Sequence, residues 1–136
     1  MTKFESEIKY INASQEAVFA KLSDFSNLES VKDKLPEDKV KNLTFDSDSI
    51  SVDLPSVGTV KLKIVELEPC KCIKMATEVS PLPFNVWVQL LPVTESQCKM
   101  KLTLGMEINP IMKSMIQKPL QQALEKLATL LTMIWQ

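Results

Sequence analysis

The C-terminal stretch from Asn109 to Gln136, NPIMKSMIQKPLQQALEKLATLLTMIWQ, constrains the fold more than any other part of the chain. Apolar residues recur at Ile111, Met112, Met115, Ile116, Leu120, Ala123, Leu124, Leu127, Leu130, Leu131 and Ile134. Steps of three and four are what one face of a helix requires. At 1.5 Å per residue such a helix is about 36 Å long, enough to cross a small domain and cover whatever precedes it. Pro119 falls inside it. A proline there removes the bond to the carbonyl of Met115 and kinks the helix. The alternative is a helix that begins near Lys118, with Pro119 in its first turn.

What precedes it reads as strands in need of an apolar lid. Lys3 to Asn12 alternates, with Phe4, Ser6, Ile8 and Tyr10 on one side and Lys3, Glu5, Glu7 and Lys9 on the other. Ser14 offers an N-cap for a short helix carrying Ala17, Val18 and Leu22, and Asp24 offers one for a second bearing Phe25 and Leu28. The polar segment SVKDKLPEDK, which contains Pro36, is expected to be a surface loop or a mobile flap. Strands are then predicted over Val40–Phe45, Ser49–Leu54, Val57–Glu68, Cys72–Val79, Phe84–Leu91 and Cys98–Ile108. Pro55-Ser56, Pro69, the SPLP segment ending at Pro83, and Thr94–Ser96 punctuate them. One apolar face and one Lys/Glu face, strand after strand, describe an antiparallel sheet solvated on one side. The economical result is one α+β domain over residues 1–136, with the long helix lying on a bent sheet.

Composition removes several chemistries. Every basic residue is Lys, so the bidentate guanidinium for phosphate or carboxylate is missing. There is no His, hence neither the usual general base near neutral pH nor the commonest metal ligand. Gly58 and Gly105 stand far apart and form no phosphate cradle. A formal net charge of -1 gives no electrostatic reason to expect nucleic acid. No cofactor or metal is expected. Cys70, Cys72 and Cys98 fit neither a disulfide framework nor a redox motif, and read as reduced thiols. The charged, alternating N-terminus is no signal peptide, and no apolar run reaches the ~20 residues of a membrane span. A cytoplasmic protein, monomeric or weakly dimeric, is the expectation.

Three segments carry a resemblance that extends over the whole chain. They are INASQEAVFAKLSDF (Ile11 to Phe25), GTVKLKIVELEPCKCI (Gly58 to Ile73) with its E-x-E-P turn, and LLPVTESQCKMKLTLGMEINP (Leu90 to Pro110) leading into the long helix. In these the chain resembles the START/polyketide-cyclase superfamily (SRPBCC, birch-pollen-allergen-like). The resemblance implies a helix-grip fold: a curved antiparallel sheet of six to seven strands wrapped around a long C-terminal helix, with two short helices after the first strand. It also implies a cavity between sheet and helix. Members of the superfamily transfer lipids and sterols, bind quinones, act as hormone receptors or cyclases, or serve as cochaperone domains.

Three functions follow as expectations. The first is binding or transport of a small hydrophobic ligand, whether lipid, isoprenoid quinone or polycyclic aromatic. The second is a polyketide cyclase/dehydratase-like enzyme, and the third a protein-interaction module with Trp87 and Trp135 as exposed anchors. The inward positions are nearly all aliphatic, Met or Phe, which favours binding over catalysis, and no catalytic residue is assigned. The candidate cavity residues are Tyr10, Phe25, Leu62, Ile64, Met75, Thr77, Phe84, Val86, Val88, Met100, Leu102, Met112, Met115, Ile116 and Leu120. Methionines suit irregular apolar sites, while Tyr10, Ser6 and Thr77 are the hydroxyls placed to orient a ligand. Cys98 is expected to be a buried, inert thiol. Trp87 is expected to face outward; a one-residue slip in register would bring it and Gln89 into the pocket instead. On the long helix, Met112, Met115, Ile116 and Leu120 are expected at the pocket mouth, with Leu124, Leu127 and Leu131 packed solidly on the sheet.

Overall fold

A computed structural model of the protein describes residues 2–29, 41–54, 58–79 and 83–135. The expected flap within 30–40, the turn at 55–57 and most of the SPLP loop lie outside the described residues. Among those described, the chain forms eight strands. They are β1 (Thr2–Glu5), β2 (Lys9–Ile11), β3 (Lys41–Phe45), β4 (Ser49–Leu54), β5 (Gly58–Glu68), β6 (Cys72–Val79), β7 (Asn85–Thr94) and β8 (Gln97–Met106). Every pairing is antiparallel. The order is β1-β8-β7-β6-β5-β4-β3, with β2 also on β8.

The helices begin where their caps stand. Ser14 opens α1 (Gln15–Leu22) by accepting from the Ala17 N–H at 3.1 Å. Asp24 opens a 3-10 turn, Phe25–Leu28, accepting from the Ser26 hydroxyl at 2.6 Å and its N–H at 3.0 Å. Those bonds hold the Asp24 carboxyl below the ordinary carboxylate range. Asn109 caps α2 (Pro110–Thr132), accepting from the Met112 N–H at 2.8 Å, and Pro110 occupies the first turn, where its missing N–H costs nothing. The helix runs unbroken through Pro119, which settles the choice between one helix and two. Met133–Trp135 finish the described chain as a 3-10 turn. Trp135 is half-buried against the core, so it is not the exposed anchor expected for a partner surface.

Irregular register shapes the sheet. The single strand expected over Lys3–Asn12 is two, because Phe4 pairs with Leu104 and Ile11 with Cys98. Seven steps along the first strand therefore oppose six along β8. One extra residue is a bulge, and beyond it every side chain changes face. Ile11 thus becomes the inward residue, and Tyr10 points out. Ser6 stitches the gap, with its N–H donating to the Leu102 carbonyl at 2.8 Å and its hydroxyl accepting from the Leu102 N–H at 2.9 Å. Further register shifts interrupt the β5–β6 and β7–β8 ladders.

One core lies between sheet and helices. It joins Phe4, Ile11, Val18, Leu22, Phe25 and Leu28 to the inward rows of β4–β8 and to Leu120, Leu124, Ala128, Leu130 and Leu131 of α2. Polar hooks tie α2 to the bulge. Gln121 Nε2 donates to the Glu5 carbonyl at 2.8 Å, and the Glu7 N–H donates to Glu125 Oε1 at 2.9 Å. Gln121 also donates to Glu125 Oε1 at 3.2 Å. The outer face carries exposed pairs such as Lys101–Glu5 and Lys61–Glu78, which contribute little to stability.

Candidate ligand cavity

Between sheet and helix the described residues leave a pocket of about 70 Å³, partly open to solvent and called the cavity below. β4 contributes Ile50 and Val52, β5 contributes Val60 and Leu62, and Phe84, Val86 of β7 and Leu104 of β8 supply the far side. The roof is Leu120, Ala123, Leu124 and Leu127 of α2. Register explains the walls: Ile50 pairs with Leu62, Val52 with Val60, and Val86 with Leu104, so each pair presents two aliphatic side chains on one face. Among the described residues, no lining side chain carries a hydroxyl, amide or charge.

Four of the expected cavity residues line this space: Leu62, Phe84, Val86 and Leu120. Phe25, Met75, Val88, Met100 and Leu102 are buried in the surrounding core but are not part of the lining. Methionines therefore fill the interior beside the cavity and do not form its wall. Ile64, Met112 and Ile116 are only half-buried. The lining residues missing from the expected set are Ile50, Val52, Val60, Leu104, Ala123, Leu124 and Leu127. A signal for several was available. The alternation Ile50, Val52 and Val60, Leu62 on either side of a short turn is a hairpin pattern that brings those four together.

Two expected positions are corrected. Tyr10 is 63% exposed, because the bulge puts it on the outer face. Met115 is 73% exposed. A helix turns about 100° per residue. The stripe that runs back from Leu120 in steps of four therefore passes through Ile116 and Met112, leaving Met115 and Ile111 one residue off it. The division of α2 shifts with them: the cavity lies under Leu120–Leu127, so Leu124 and Leu127 line it as well as packing in or against the core, where Leu131 is fully buried.

The hydroxyls expected to orient a ligand are committed elsewhere. Thr77 Oγ1 accepts from the Phe84 N–H at 3.2 Å, and Ser6 Oγ serves Leu102 and donates to the Glu7 carbonyl at 3.0 Å. Trp87 is on the outer face, paired with Lys74 and Thr103, with the Lys74 ammonium 5.6 Å from its ring centroid. Gln89 beside it accepts from the Thr103 hydroxyl at 3.0 Å. Both are thus outside the cavity. Burial, reinforced by Glu16, pushes the Cys98 thiol up, and burial with Glu68 and Glu66 does the same at Cys72. Neither is a thiolate nucleophile at neutral pH. Among the described residues no group of His, Cys, Asp and Glu is arranged to hold a metal.

A model of the family described as polyketide cyclase / dehydrase and lipid transport matches residues 1–132. The chain belongs to this family. The solved structures agree on the helix-grip fold. A START superfamily protein from Mycobacterium smegmatis superposes with a TM-score of 0.68 at 13% identity, over 96% of this chain and 94% of that one. A Thermus thermophilus protein gives 0.65 at 18% identity, over 98% and 96%. Norcoclaurine synthase from Thalictrum flavum gives 0.64 at 13%, over 94% and 86%. No curated protein matches the sequence significantly. No helix among the described residues is long and apolar enough to cross a membrane.

Proposed function

We propose that this protein binds or carries a small hydrophobic ligand in the cavity between its sheet and α2. The observation that carries this reading is a pocket, partly open to solvent and roofed by the long helix, whose lining among the described residues is hydrocarbon. Interiors normally pack to crystal density, so an apolar molecule seated here would gain contacts with the lining side chains and release water from them. The family description names lipid transport beside cyclisation, and the cavity suits the first better. A lining without a proton donor or acceptor can hold an apolar group but cannot move protons. Three unpaired cysteines suit a reducing compartment such as the cytoplasm.

Native mass spectrometry of protein purified from its host, with organic extraction of the same sample, tests the reading. A co-purifying hydrophobic molecule that raises the unfolding temperature is the expected result. Protein that repeatedly arrives empty, and that no apolar compound stabilises, would refute it.

A further inference from the structure

We infer that the outer face of the sheet, where β2, β8 and β7 lie side by side, docks a short amphipathic helix of another protein, one that presents a carboxylate between two apolar side chains. Tyr10, Lys99 and Leu91 form one row across these strands, since Lys99 pairs with Tyr10 on one side and with Leu91 on the other. Their chain neighbours Ile11, Cys98, Met100 and Leu90 are buried on the opposite face, so all three side chains point outward. Tyr10 is 63% and Leu91 62% exposed, and Ile8 and Val93 extend the exposed apolar surface close by in the chain. The bulge between Phe4 and Ile11 is what brings Tyr10 into this row. Among the described residues Lys99 has no hydrogen bond or ion pair, whereas Lys101, two residues along β8, meets Glu5 at 3.4 Å. The row therefore offers hydrocarbon at both ends and an uncompensated ammonium in the middle. Its complement is a carboxylate flanked by apolar groups.

Spacing selects the occupant. Neighbouring strands stand ~4.8 Å apart, so the backbones of Tyr10 and Leu91 are about 9.6 Å from each other with Lys99 midway. A helix laid across the strands offers residues i and i+7 about 10.5 Å apart, with i+3 or i+4 between them on the same face. An extended segment offers same-face residues at multiples of about 6.8 Å and does not fit the row. A second copy of this chain is disfavoured: a two-fold axis that sets Tyr10 on Leu91 of the other copy also sets Lys99 on Lys99. A bilayer is disfavoured as well. Lys99 stands within the row, and its ammonium would have to approach hydrocarbon together with Tyr10 and Leu91.

The probe is a phage-displayed library of peptides of about 16 residues, long enough to hold a helix, in an alanine-rich frame randomised on one face. It is selected against the purified protein. Selected sequences are expected to carry Asp or Glu at i+3 or i+4 between apolar residues at i and i+7. Made synthetically, they should bind Lys99→Glu and Tyr10→Ser at least about tenfold more weakly than the parent. A peptide with Lys in place of its carboxylate should recover affinity for Lys99→Glu. Circular dichroism and thermal unfolding identify a variant that has lost its fold, and Leu91→Ser replaces Tyr10→Ser in that event. A selection that yields no peptide, peptides without the acid, or binding that both substitutions leave intact would overturn the inference. So would a homodimer in sedimentation that Tyr10→Ser dissociates, or binding to phosphatidylserine vesicles that Lys99→Glu abolishes. The row lies on the opposite face of the sheet from the cavity, so its failure leaves the ligand reading untouched.

Discussion

The two halves of α2 share one apolar rhythm and differ in what lies beneath them. From Leu120 onward the helix buries Leu120, Leu124, Ala128, Leu130 and Leu131 and is hooked to the β1–β2 bulge through Gln121 and Glu125. From Pro110 to Pro119 no residue is buried, and Ile111 and Met115 are 75% and 73% exposed. Pro119 stands at the boundary and leaves the Met115 carbonyl without its helical donor. Periodicity thus defines a stripe, while a partner surface decides whether that stripe contributes energy. The cavity lies under the tied half, the part of the helix that is buried and hydrogen-bonded to the bulge.

Substitutions can break or sharpen this contrast. Leu131→Ala, at a fully buried position, should lower stability in urea by about 2–5 kcal/mol; a loss under 1 kcal/mol would mean the back half is not the anchor. Pro119→Ala restores an N–H for the Met115 carbonyl and removes a poor helix former. It should raise stability by about 1–3 kcal/mol and slow hydrogen exchange across Lys113–Lys118. An unchanged exchange pattern would show that Pro119 does not set the difference between the two halves. Glu125→Ala removes the acceptor for the Glu7 N–H and should cost about 0.5–1.5 kcal/mol, with faster exchange at Glu7. Met115→Ala should stay within about 0.5 kcal/mol of the parent. A larger loss would reveal that the exposed front face has a partner in solution.

Much of the fold could be read from the chain. Ser14 and Asp24 cap the elements expected of them, and Cys98, Met100, Leu102, Leu104 and Met106 all face inward as their alternation requires. The first strand shows where such reading stops. Its alternation continues in the residues but not in space, because one extra residue between Phe4 and Ile11 inverts every position beyond it. No local pattern marks that residue. The pairing with β8 imposes it, and Tyr10 is displaced as a result.

The site was less legible than the fold. Val88 and Val86 are both inward residues of β7, yet only Val86 touches the void. An inward aliphatic side chain has the same sequence signature whether its neighbours close over it or stop short. What separates the two is whether layers brought together from distant parts of the chain meet or leave a space between them.

The residues alone determined the order of elements, the caps, the apolar faces of β4 to β8, the long C-terminal helix with a proline in it, and the lack of any imidazole or guanidinium for chemistry. Those are local properties, set by side-chain type and spacing. Only the tertiary structure decided that Tyr10 points outward, that the free half of α2 is the front one, and that the cavity lies under Leu120–Leu127. Each of these depends on which surfaces meet across the fold, and short-range patterns do not encode that meeting.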